Sequence, residues 1–177
     1  MTGSLLDSLL RMVTPDMKRV LASRLGESVE GVQSGLGAAT AATLSGLDRK
    51  AADREFFGKI LGLLGGGAGP SIVASLPSIA ASPPTGTAAG TLNSFVRMLF
   101  GSQQTEVAGA VSQHAGLGAT SGPALLRVSA AVVLAYFVKG QNAGAVTVES
   151  LSSTLRAEAA TLHSYLPASL LPGAPAA

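Results

Sequence analysis

The residues able to do chemistry in this chain are few and scattered. Its two histidines, His114 and His163, fall in different predicted helices, and neither belongs to a His-Glu-x-x-His motif or has an i, i+4 carboxylate or histidine of the kind that holds a metal. There is no Cys, so thiolate metal sites and disulfide scaffolds are excluded. A nucleophile needs a base beside it. Serines abound, yet no Gly-x-Ser-x-Gly elbow occurs; Ser45-Gly46 imitates it without the preceding glycine or a strand context. The acids Glu149 and Glu158 sit in one predicted helix and read as exposed. Gly62 to Gly69 is glycine-rich but has no Lys-Ser or Lys-Thr and no preceding strand, so neither a phosphate loop nor a dinucleotide fingerprint is present. No residue is therefore assigned to catalysis, to a cofactor or to a metal. The expectation is a protein that is not an enzyme.

Charge argues in the same direction. Twelve Lys and Arg against ten Asp and Glu leave a formal +2, and charged residues are 12% of the chain against roughly 25% in an ordinary soluble domain. A nucleic-acid binder carries a basic stripe with exposed aromatics. Here the densest cluster, Asp48-Arg49-Lys50 with Asp53-Arg54-Glu55 and Lys59, alternates in sign and reads as a solvated helix face. Phe56, Phe57, Phe95, Phe100, Tyr136 and Phe137 fall on apolar faces and read as core. No nucleic-acid partner is expected.

The elements that would position these residues are helices. Thr14-Pro15-Asp16 is a start signal: Thr14 caps a free N–H, Pro15 has none to lose, and Asp16 meets the positive end of the dipole. Gly26 ends that helix and Ser28 caps the next, in which Val29, Val32, Leu36, Thr40, Thr43 and Leu47 recur at 3, 4, 4, 3, 4. The faces beside that stripe are small: Gly35, Gly37, Ala38, Ala39, Ala41 and Ala42. Further helices are predicted over 52–64, 91–100, 103–115, 123–138 and 147–166, the last repeating the 3, 4, 4, 3, 4 spacing through Val148, Leu151, Leu155, Ala159, Leu162 and Leu166. Between them, 65–90 holds Gly65-Gly66-Gly67, Gly69-Pro70, Pro77 and Pro83-Pro84. It reads as a Gly/Pro/Ser-rich linker around a short apolar segment. Those breakers also argue against a membrane span, as does the short length of the apolar run Val128 to Val138, which reads as a buried core helix.

A duplication runs through this order of elements. Leu6-Asp7-Ser8-Leu9-Leu10-Arg11-Met12-Val13 aligns with Leu92-Asn93-Ser94-Phe95-Val96-Arg97-Met98-Leu99. After an insertion of about four residues, Gly26 aligns with Gly116, Leu36 with Leu126, Ala41 with Ala131 and Leu44 with Leu134. The matched Arg-Met pairs, 11–12 and 97–98, read as helix-end Arg beside core Met. The fold class is all-α: two related bundles of about four short helices. The domain reading is a first repeat at 1–64, a linker at 65–90, a second repeat at 91–166 and a flexible tail at 167–177.

The second copy carries a resemblance. Leu99-Phe100-Gly101-Ser102-Gln103-Gln104, the helix Val107 to Ala115, Gly116-Leu117-Gly118, Leu125-Leu126, Val132 to Phe137 and the basic Lys139 resemble the YidB-like bacterial family of unknown function. The first copy, with Leu25-Gly26-Glu27-Ser28 and Leu44-Ser45-Gly46-Leu47, is similar but more diverged. The resemblance implies an all-helical fold and no established catalysis. Members often carry Pro before the apolar helix, where this chain has Thr40-Ala41-Ala42 and Ala130-Ala131-Val132; a helix break there is not implied.

The functional expectation is a non-enzymatic helical scaffold or interaction module. It would act by self-association, as a homo-oligomer, or by docking a protein partner through Ala/Gly/Leu-rich grooves. The alternative is a membrane-surface or membrane-inserting protein, with Ile60–Leu64 and Ile72–Ile79 entering as a hairpin. The expected location is cytoplasmic, or membrane-associated under the alternative.

Overall fold

The computed structural model describes residues 4–50, 53–82, 85–142, 144 and 147–166; the expected tail at 167–177 lies outside them. The chain is all-α, with no strand among the described residues. The helices are α1 (Leu5–Met12), α2 (Pro15–Leu25), α3 (Val29–Arg49), α4 (Arg54–Leu63), α5 (Gly69–Ile79), α6 (Gly86–Phe100), α7 (Gln104–Ala115), α8 (Ser121–Asn142) and α9 (Val148–Tyr165). The starts of α2, α3 and α4 are set by side chains that accept the first free N–H groups. Thr14 takes the Met17 N–H at 3.2 Å, Ser28 that of Gly31 at 3.0 Å and Asp53 that of Phe56 at 3.1 Å. Thr147 and Ser150 close a reciprocal capping box at the head of α9. Gly26 and Gly116 end α2 and α7 with left-handed backbones (φ 70° and 67°), a conformation that glycine adopts without a steric penalty.

α3 is the centre of the molecule. Every residue from Gly35 to Leu47 is buried, and α8, α9, α7, α2, α1 and α6 all pack against it. Glycine inside a helix costs roughly 1 kcal/mol relative to Ala, and the packing shows what that cost secures. A Cβ at Gly35 would lie 2.4 Å from a Leu125 methyl, and one at Gly46 would lie 2.9 Å from Leu99. The side chains of the second half thus fill the small-residue face of the first. α8 is the reciprocal partner, with Leu125, Leu126 and every residue from Val128 to Ala135 buried. The one hydroxyl in that stretch, Ser129 Oγ, receives a 3.2 Å hydrogen bond from Thr40 Oγ1 across the α3–α8 contact. The two halves share one continuous hydrophobic core among the described residues.

The stretch 65–90 differs from the linker reading. A π-helical turn over Leu64–Ala68 redirects the chain at Gly67 (φ 88°), and α5 follows at once. Ile72, Leu76 and Ile79 of α5 are core residues that pack on α8 and α6. The breakers are accommodated by position. Pro70 stands in the first turn, where its N–H has no intrahelical partner to lose. Pro77 lies one turn from the end, on an exposed face, and removes one intrahelical bond. α6 likewise begins at Gly86, five residues earlier than its apolar pattern indicates.

α8 is long and apolar enough to cross a bilayer by length and composition over Ser121–Gly140 (mean hydropathy 1.6), but 78% of that window is buried inside the fold. Of the alternative membrane hairpin, Ile60, Leu64, Ile72, Leu76 and Ile79 are internal, Leu63 and Val73 are half-buried and Leu61 is 40% exposed.

Candidate functional site

The α5 helix has two working faces. Gly69, Ile72, Leu76 and Ile79 point into the core. Val73, Leu76 and Pro77, with Ala80 and Ala81 in the turn just past the helix end, line an open groove of about 460 Å³. Its opposite wall is the α1–α2 corner: Met12, Thr14, Asp16, Met17 and Val20. Lys139, in the last turn of α8, completes the lining. Val20 is 42% exposed, one of four large apolar side chains left so open among the described residues. The groove is therefore apolar along its length and bears charge only at its rim.

Two contacts orient the groove. At one end Arg24 Nη1 donates to the carbonyls of Ile79 (3.1 Å) and Ala80 (3.2 Å), the free C-terminal acceptors of α5. This cation at the negative end of the helix dipole ties the end of α2 to the end of α5. At the other end Val138 lies against Gly69, where a Cβ would meet it at 2.9 Å, so the adjacent Lys139 belongs to the Val73 end. Asp16 is on the same rim, its carboxylate 3.6 Å from Arg19 and 89% exposed. Lys139 itself is exposed and makes no salt bridge among the described residues.

Two more charged side chains cap helices across the fold. Glu158 of α9 accepts the N–H groups of Leu5 and Leu6 at the head of α1, while Ser4 accepts that of Asp7. Glu27, in the α2–α3 turn, accepts from Gly118 N–H and Ser121 Oγ–H, both at 2.7 Å, at the head of α8. The Ser121 hydroxyl, then the Gly118 N–H, hold the Glu27 carboxyl below the usual glutamate range. Residue types alone do not reveal these caps: Glu158 reads as exposed in the sequence, yet it is half-buried and bridges the two halves.

A second concavity, of about 680 Å³, gathers polar side chains on the other side of the α1–α2 corner, among them Lys18, Glu30, Ser34, His114 and Tyr165. His114 is here and His163 is exposed elsewhere on α9, so the two histidines do not meet. No group of three or more His, Asp or Glu able to hold a metal occurs among the described residues. Of the matched Arg-Met pairs, Arg11 and Arg97 are exposed in the last turns of α1 and α6, and Met12 and Met98 are half-buried against the core. Met12 also lines the groove, a role its spacing does not signal.

These features define an all-helical protein organised on a central small-residue helix, with an apolar groove on one flank. The model of a family described as bacterial protein of unknown function (DUF937) matches residues 7–140, and the chain belongs to that family. No curated protein and no solved structure matches it.

Proposed function

We propose that the protein is a non-enzymatic helical binding module that takes an apolar partner into the groove between α2 and α5. The observation that carries this reading is the open apolar concavity in which Val73, Pro77 and Ala81 remain accessible beside the buried Leu76 and Ala80, opposite Met17 and the exposed Val20. A core-forming helix normally covers its apolar stripe, and an uncovered one marks an interaction surface. Methionines suit such a wall because their flexible thioether side chains adapt to varied shapes. The Ala/Gly faces of α3, the other surface offered for docking or self-association, are filled by α7, α8 and α9 of the same chain. Docking on the flank is therefore favoured over self-association through those faces.

The reading includes a tandem duplication of a YidB-like unit. Its support is the matching order of α1–α4 and α6–α9, the paired left-handed Gly26 and Gly116, and a reciprocal contact. Glu27 reaches Ser121, and Leu117, its counterpart, lies against Gly31, the counterpart of Ser121: a Cβ at Gly31 would sit 2.7 Å from Leu117 Cδ2. Such an exchange is what a pseudo-twofold pairing of two like units produces.

The test uses a neutral solvatochromic dye, Nile red, with light scattering to hold the mass constant. Saturable binding of one dye per chain is expected, weakened about tenfold or more by Val20→Asp or Val73→Asp, since each places a charge in an apolar site. Absence of saturable binding, or binding indifferent to both variants, would overturn the proposal.

A further inference from the structure

The last helix of the chain belongs, by its contacts, to the other half. α9 packs on α3 and α1, and no comparable packing joins it to α6, α7 or α8, the helices it follows, among the described residues. α5 does the same in the opposite direction, lying chiefly on α8 and α6 of the second half. Each half thus closes the other's core with a helix of its own. Exchanged arms produce this arrangement between subunits.

α9 carries what such an arm needs. The reciprocal Thr147–Ser150 box starts the helix from within the arm itself. Leu151, Leu155 and Leu162 form its apolar stripe, none more than 6% exposed. Glu158 accepts the Leu5 and Leu6 N–H groups at the head of α1. At its end the Tyr165 ring lies over Gly37, where a Cβ would stand 3.4 Å from it. The α3–α1 face therefore takes an amphipathic helix with a leucine stripe, one carboxylate and a terminal aromatic ring. α9 reaches that face through the connection Ala143 to Val146, in which Gly144 has a left-handed backbone (φ 66°).

We infer that α9 is an exchangeable arm and that the α3–α1 face takes the α9 of a second copy of this chain. The contacts are the same within one chain or between two, so the connection and the concentration decide between them. Exchange keeps the α3 face filled and leaves the groove between α2 and α5 untouched, because no α9 residue lines it. The inference is independent of what that groove binds.

The chain has no Cys, so introduced thiols report single positions. Full-length Gly37→Cys and Tyr165→Cys chains would be unfolded together in urea, refolded and treated with a short bis-maleimide. A short connection holds its own arm at an effective concentration of about 1 mM. Below that, the cross-linked heterodimer should grow roughly in proportion to concentration, about tenfold per decade. Both substitutions in one chain should cross-link within it at low concentration. Gly109→Cys, on α7 and outside the face, paired with Tyr165→Cys is the background control. Deleting Ala143 to Val146 leaves no residues in which α9 can turn back. That variant should double in mass by light scattering at micromolar concentration, or form a ladder of higher masses if the exchange does not close. A deletion variant that is monomeric with native helix content would overturn the inference. So would a cross-linked yield at about 1 mM no greater than that of the Gly109→Cys control. The cross-linking needs no deletion and decides the point if the shortened chain fails to fold.

Discussion

The Gly122→Ala substitution puts the packing of the second half to a direct test. Gly122 is in the first turn of α8, where that helix meets α7. A Cβ there would lie 2.1 Å from the Ala108 carbonyl oxygen and 2.3 Å from Ser112 Oγ. The first distance is about 0.9 Å short of the 3.0 Å that real Cβ atoms keep, and the obstacle is backbone, which cannot rotate away. The α7–α8 contact would have to open, at a cost of roughly 1–3 kcal/mol or somewhat more for forced overpacking. Replacing glycine in a helix returns at most about 1 kcal/mol. With a backbone obstacle placing the cost at the upper end of that range, the net is a loss of about 2 kcal/mol, or roughly 4–8 °C in Tm for a chain of this size. Gly109→Ala, in the facing α7, is the control: nothing lies within 4 Å of its Cβ, so it should gain about 0.5–1 kcal/mol. Urea unfolding followed by far-UV circular dichroism measures both. Adding Ser112→Ala removes the 2.3 Å obstacle and a buried hydroxyl that has no hydrogen-bond partner among the described residues, so the double variant should recover part of the loss. A neutral or stabilising Gly122→Ala beside a stabilising Gly109→Ala would refute the close approach.

Two further predictions follow from the polar contacts that join the halves. The folded Glu27 carboxyl titrates below its unfolded value, so its contribution is fully present above the ordinary glutamate range and is lost as pH falls through the folded value. Acid titrations of stability should show wild type and Glu27→Ala converging at low pH, and a gap that persists unchanged into strong acid would contradict the contact. Thr40→Val leaves Ser129 without its partner in the α3–α8 contact and should cost about 1–3 kcal/mol, whereas Thr40→Val with Ser129→Ala should be close to neutral; additive costs would refute the pairing.

What the sequence discloses and what it conceals separate along a physical line. The caps Thr14 and Ser28, the stop at Gly26 and the stripe Val32, Leu36, Thr40, Thr43, Leu47 are local: each depends on residues within one or two turns. All of them are legible, apart from Val29 at the head of the stripe, which is 37% exposed rather than buried. α5 is not legible, because the residues that signal a linker, Gly67, Pro70 and Pro77, are judged by their average effect on a helix interior. Here each occupies a place where that effect is small: a bend, a first turn and a solvent-facing last turn. The groove is less legible still, since its lining comes from the α1–α2 corner, α5 and the end of α8, and no spacing within a helix relates Val20 to Val73 or Lys139.

The scarcity of charge bears on the same point. With charged residues at only 12% of the chain, few can serve as general solubilising surface, and the placement of three is specific. Glu158 and Glu27 meet the positive heads of α1 and α8, and Arg24 meets the negative end of α5. Each sign matches the dipole it faces, and each contact joins elements far apart in sequence. An apolar core holds helices side by side but is indifferent to small sliding along their axes. Directional bonds to helix ends oppose that sliding, because an orphan N–H or carbonyl is satisfied at only one position. Arg24 therefore does more than satisfy the end of α5. By tying the last turn of α2 to the last turn of α5 it sets the register of the two walls, and with it which side chains stand opposite Val73 and Leu76. Arg24→Ala should weaken dye binding in the groove while leaving helix content unchanged. A variant that binds as wild type would show that packing alone fixes the walls.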